Sequence, residues 1–156
     1  MASITWTPGP LAWAAGFAAA DLNSLANVTQ KTSSLASPQI DNSGAAPDMF
    51  VQFEVVLASL TPVAAGNVLV VCVPLASDGG SVSSTDGTGT GNQVPWQNYP
   101  HAAIALRTGA GAQVQQSPPI SLPPGQYRLA LINRAGVALA ASGNMVSWRK
   151  YSEAVG

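Results

Sequence analysis

The residues able to do chemistry are few. His101 is the single histidine and Cys72 the single cysteine in 156 residues, so an imidazole base, a zinc site or a thiolate nucleophile would rest on one of them. Cys72 lies inside the run NVLVVCVPL with no basic neighbour to lower its pKa, and reads as a small buried apolar side chain. No G-x-S-x-G stretch sets a serine nucleophile beside His101. The glycine spacing of DGTGTG, from Asp86 to Gly91, would suit a phosphate cradle only if it opened a helix. Pro95 and Pro100 follow instead, and no Lys-Ser or Lys-Thr pair does. Asp78 and Asp86 have the chemistry of calcium ligands, yet two carboxylates in a Gly/Ser/Thr run serve as turn formers more readily. Glu54 and Asp48 could mimic a glycosidase pair, but Glu54 falls on the polar face of an alternating segment and both read as solvated charges. The expectation is a protein without catalytic residues, metal or cofactor.

Charge narrows the partners. Charged residues are 8% of the chain against about 25% in an average soluble domain. Six basic residues against seven acidic ones leave a net charge of -1, which offers no footprint for a phosphate backbone or an anionic membrane. Arg134, Arg149 and Lys150 form at most a small basic patch of the kind that serves solubility or a subunit contact. A surface this neutral repels copies of itself poorly and suits a dense, ordered assembly. The apolar centre of LAWAAGFAAADL lacks the positively charged flank of a signal peptide, the first basic residue being Lys31, and is too short to span a bilayer. Synthesis in the cytoplasm is therefore expected.

The elements that would position any site read as strands. In MFVQFEVVLASL the residues Met49, Val51, Phe53, Val55 and Leu57 share one face, with Gln52 and Glu54 on the other. NVLVVCVPL is a near-continuous β-branched run, and HAAIALRT and GAGAQVQQS are shorter strand candidates. In QYRLALINRAG, Tyr127, Leu129 and Leu131 oppose Arg128 and Ile132, and NMVSWRKYSE closes the chain in the same style. Short strands punctuated by Gly and Pro argue an all-β fold, an antiparallel β-sandwich or jelly roll spanning 46–156. Residues 78–99, almost free of apolar side chains, become a long surface loop whose Trp96 and Tyr99 either close over the sandwich or stack on a glycan.

Residues 1–45 differ in character. The stretch LAWAAGFAAADLNSLANV has the alanine content of a helix but contains Gly16 and no clean apolar stripe. Residues 1–45 as a whole, through QKTSSLASPQIDNSGAAPD, are too polar for a core strand and, at Trp6, Trp13 and Phe17, too apolar to be left in water; a poorly ordered chain end is one reading. An extended or partly helical arm that packs on another molecule satisfies both properties, with Trp6, Trp13, Phe17, Leu22 and Leu25 as its anchors.

Three stretches, FAAADLNSLAN (17–27), IDNSGAAPDMFVQFEVVLASLTPVAAG (40–66) and LPPGQYRLALINRAGVALAASGN (122–144), resemble small structural proteins of tailed-bacteriophage virions. The shared pattern is an LNSLAN segment, an IDNS entry to the first long strand, a TP-to-Gly turn and a late LPPG hairpin ending in GVALAASGN; the long 78–99 run departs from it. The resemblance implies a β-sandwich of the capsid decoration or cement type, on the virion surface. Its implied partners are the major capsid protein and copies of itself as a homo-oligomer, with no nucleic acid or membrane. A tail or fibre component binding host glycan through Trp96 and Tyr99 is the alternative.

Overall fold

The computed structural model describes residues 4–8, 12–36, 38–75 and 96–155. Eleven strands are present among them: β1 (Ile4–Pro8), β2 (Ala14–Ala15), β3 (Gln30–Thr32), β4 (Ile40–Asn42), β5 (Phe50–Leu60), β6 (Asn67–Pro74), β7 (His101–Ala105), β8 (Gly111–Gln116), β9 (Ile120–Ser121), β10 (Gly125–Arg134) and β11 (Met145–Val155). The expected all-β sandwich is what forms. Sheet A has the order β1-β11-β5-β8, with β2 also on β11 and β9 also on β5; sheet B has the order β3-β10-β6-β7, with β4 also on β10.

All the pairings are antiparallel, and they nest. β1 and β2 pair with β11, β3 and β4 with β10, β5 with β8 and β9, and β6 with β7, so the two halves of the chain form one long ribbon. Laying β11 beside β5 and β10 beside β6 rolls that ribbon into two facing sheets. This is the double-sheet jelly roll.

Burial follows the alternation. In β5, Val51, Phe53, Val55 and Leu57 are fully buried, while Gln52, Glu54 and Val56 point outward. Leu129 and Leu131 of β10, Val68, Val70 and Cys72 of β6, and Val146 of β11 complete the core between the sheets. Met49, expected on the inner face, precedes the strand and is half exposed. β6 is buried on both faces because Leu69, Val71 and Val73 join Ala130 and Ile132 in a second cluster on the outside of sheet B. That explains why its sequence shows no alternation.

The division at residue 45 is not a boundary in the fold. Strands β1 and β2 belong to sheet A and β3 and β4 to sheet B, so the described residues before 45 open the ribbon rather than forming a separate arm. Nor does LAWAAGFAAADLNSLANV form a helix. Ala14 and Ala15 pair with Trp148 and Ser147, Gly16 N–H donates to the Val146 carbonyl at 2.8 Å, and a series of turns follows. A Cβ on Gly16 would stand 2.9 Å from Leu129 Cδ1 and 3.1 Å from the Val146 oxygen, so the residue that weakens a helix is the one that lets this segment lie against β11. Alanine's preference for helix is worth tenths of a kcal/mol per residue, whereas burying one large side chain contributes about 1.5–3 kcal/mol. Tertiary burial wins.

Candidate functional site

The expected anchors divide. Phe17 is 5% exposed and Leu22 fully buried, both in the main core, and Leu25 packs partly buried against it. Phe17 and Leu22 are therefore not available to another molecule, which corrects their assignment as partner contacts. Trp6 sits in β1 opposite Glu153, and its side chain lies outside the described residues. Trp13 is half-buried on the outer side of sheet A, where the Arg149 guanidinium lies over its ring, 4.5 Å from the centroid.

The LNSLAN, GVALAASGN, IDNS and LPPG segments turn out to be clasps between distant parts of the chain. At one end of the sandwich, LNSLAN meets GVALAASGN. Asn133, fully buried, donates from Nδ2 to the carbonyls of Leu25 (2.9 Å) and Val137 (2.8 Å) and accepts from Ala135 N–H (2.9 Å) at Oδ1. Asn144 Nδ2 donates to the carbonyls of Ala140 (2.7 Å) and Leu22 (3.4 Å). Asn27 Oδ1 receives the N–H of Gly136, whose φ of +82° and tight seat against Val63 leave no room for a side chain. At the other end, IDNS meets LPPG. Asn42 Nδ2 donates to the carbonyls of Asp48, Leu122 and Pro123, and its Oδ1 receives Asp48 N–H. Tyr127 closes the same turn through its hydroxyl to the Pro123 carbonyl at 2.8 Å. The Ser43 hydroxyl and N–H hold the neighbouring Asp41 carboxyl below the usual carboxylate range. Buried amide groups satisfied this completely serve the fold.

No reactive constellation assembles among the described residues. Asp48 pairs with Lys150 at 3.2 Å and receives the Ser152 hydroxyl, while Glu54 receives Gln116 Nε2 at 2.8 Å, so each carboxylate of the suspected pair has its own partner. His101 opens β7, with Nδ1 2.8 Å from the Tyr99 carbonyl. No group of three His, Cys, Asp or Glu residues could hold a metal, and no helix is long and apolar enough to cross a membrane, again among the described residues. Asp78 and Asp86 fall outside them. An open cleft of about 270 Å³ between Pro47–Phe50 and Ser121–Pro124 has Asp48 as its one ionisable lining residue, already ion-paired.

Cys72 behaves as its sequence context indicates. It is fully buried, and desolvation pushes its thiol far above the ordinary range. Its labelling by a thiol reagent is expected to track global unfolding, with native protein unreactive at neutral pH and full reaction in denaturant. Prompt labelling of native protein would contradict this burial.

Tyr99 and Trp96 answer the question of the long loop in part. Tyr99 packs half-buried against the second apolar cluster, the arrangement expected of an aromatic that closes over the sheet. Trp96 opens a short 3-10 turn, Trp96–Asn98; its side chain and residues 76–95 lie outside the described residues.

Among the described residues, the outer face of sheet A is a surface open to a partner. Cross-strand neighbours point the same way, so Met145, Val56 and Val114 form a row over three adjacent strands. Further along, Glu54 lies beside Ser147 and Gln116, and Arg149 beside Gln52, whose Oε1 accepts from Arg149 Nε (3.0 Å) and Nη2 (2.7 Å). Phe50 and Tyr151 pack ring to ring at 5.8 Å. Sequence alternation marks these residues as outward-facing; their assembly into one surface depends on the register. Comparison with protein-family models, with curated proteins and with solved structures returns no match.

Proposed function

We propose that this chain is a structural protein of a tailed-bacteriophage virion, acting as a capsid decoration or cement protein that binds the outer shell and stabilises the head. The observation that carries the reading is the meeting of the resembling stretches: LNSLAN with GVALAASGN, and IDNS with LPPG, each pair held by buried asparagines. Segments that clasp the two ends of the sandwich are of the kind a shared fold would need, which supports the reading. A compact, weakly charged body suits a role that consists of bridging neighbours, and a modest contact suffices when many copies bind one lattice. Attachment would use surfaces of the folded body, with Trp13 the one expected anchor whose described side chain lies on an outer face.

Quantitative mass spectrometry of purified particles from the phage that encodes this chain tests the reading. Decoration predicts a copy number comparable with that of the major capsid protein, and loss of heads under osmotic or thermal stress when the gene is deleted. A few copies per particle, retained on isolated tails, would favour the glycan-binding tail component instead.

A further inference from the structure

We propose that the end of the sandwich where LNSLAN meets GVALAASGN is the face that seats this protein on the shell, with Val28 and Val63 as its apolar contacts; the inference rests on the virion reading and names the site it would use. Three loops converge there. Asn27 Oδ1 receives the Gly136 N–H, Val63 N–H donates to the Ala135 carbonyl at 2.9 Å, and a Cβ on Gly136 would overlap the Val63 side chain, so residues 26–29, 61–66 and 135–138 form one surface. Val28 is 60% and Val63 50% exposed on it, and Ala26, Ala64, Ala65 and Ala138 are exposed in the same loops.

Backbone strain gathers at the same end. The non-glycine residues with left-handed backbone in the described chain are Ser24 (φ +55°), Val28 (φ +61°) and Ala65 (φ +62°). Ser24 N–H donates to the Ala140 carbonyl and Val28 N–H to that of Asn133, which ties both to this end. Of the three, valine tolerates the conformation least, because its two branches add to the crowding of Cβ against the carbonyl. Glycine or asparagine takes the same backbone at lower cost. With so much of its surface in water, the Val28 side chain also adds little to the core of its own chain. Neither the local backbone nor burial favours valine at this position, and the use left to its side chain is a contact outside the chain.

Size and charge identify the partner. Two exposed valines fall far below the about 800 Å² that each partner buries in a stable free-standing complex, so the knob is too small to hold a second copy in solution. On a lattice a modest contact suffices, because many copies bind one particle. Residues 26–29, 61–66 and 135–138 contain no ionisable side chain. The closest in sequence are Lys31, paired with Asp21 at 3.6 Å, and Arg134 at the end of β10. The matching site on the shell is therefore an uncharged apolar depression rather than an acidic or basic groove.

Rebinding of the purified full chain to heads from a phage lacking its gene, followed by co-sedimentation, tests the inference. Val28→Asn is expected to raise the thermal midpoint by about 2–4 °C in a domain of this size, because it relieves the strained backbone. The same variant should weaken rebinding at least about 10-fold, the loss that goes with one apolar side chain removed from a contact. Val28→Ile, as strained and as apolar as the parent, should leave both quantities unchanged. Val63→Thr keeps the shape packed against Gly136 and should also weaken rebinding. A side chain that served only the fold would move stability and binding in the same direction. A Val28→Asn chain that rebinds as well as the parent overturns the inference and leaves the virion reading standing, as does one that melts below the parent. A parent chain that dimerises in sedimentation equilibrium, with the dimer lost on Val28→Asn, puts a second copy on the knob in place of the shell and likewise overturns it. A parent chain that neither binds such heads nor occurs in purified particles refutes the virion reading and this inference together.

Discussion

Leu22→Ala is expected to destabilise the fold by about 2–5 kcal/mol and Phe17→Ala by about 3–5 kcal/mol, the range for emptying a close-packed core position. Leu22 is fully buried and Phe17 nearly so, in the same cluster as Phe53, Leu129 and Val146. Against a total stability of about 5–15 kcal/mol, either loss would be large. Urea denaturation followed by tryptophan fluorescence measures it as a drop in midpoint at unchanged slope. If these residues were anchors for another molecule, both variants would keep wild-type stability and lose only attachment. Removing residues 1–30 goes further, stripping β1 and β2 from β11 and the first residue of β3 from β10, and should leave no cooperatively folded sandwich. A truncated chain with a normal melting transition would refute the jelly-roll role of this segment.

Asn133→Ala is expected to cost about 3–5 kcal/mol, although its side chain is polar. The substitution leaves the carbonyls of Leu25 and Val137 and the N–H of Ala135 without their partner, and each buried unsatisfied group costs about 1–3 kcal/mol before relaxation or water entry. Asn133→Asp should be no better, since a carboxylate would face two carbonyl oxygens in place of the amide donor. Gln116→Ala, an exposed position on β8, is the control and should stay within about 0.5 kcal/mol of the parent. Thermal denaturation of the three variants side by side separates them. Equal stability of Asn133→Ala and Gln116→Ala would show that the clasp contributes nothing.

Much of the body was legible because its physics is local. Period-2 alternation placed Val51, Phe53, Val55 and Leu57 inward, and a near-continuous β-branched run marked β6 as a strand. The clasps were not legible in the same way. Asn133 reaches Leu25 across 108 positions, Asn144 reaches Leu22 across 122 and Asn42 reaches Leu122 across 80. An asparagine in a polar-looking loop carries no mark of a partner that far away. The composition of residues 12–27 misled for a related reason: its alanines favour a helix in isolation, while the groove between the sheets that receives Phe17 and Leu22 exists only once β10 and β11 have formed.

By itself, then, the amino-acid order determined the strand content, which side of β5 is dry, the inert setting of Cys72 and the near absence of charge. Each depends on a side chain and its close neighbours along the chain. The tertiary structure alone decided that strands β1 to β4 belong to the ribbon, that the asparagines at 42, 133 and 144 clasp distant segments, and that Met145, Val56 and Val114 share a surface with Glu54 and Arg149. Those outcomes depend on register between strands far apart in sequence, where a shift of a single residue would turn every side chain to the opposite face.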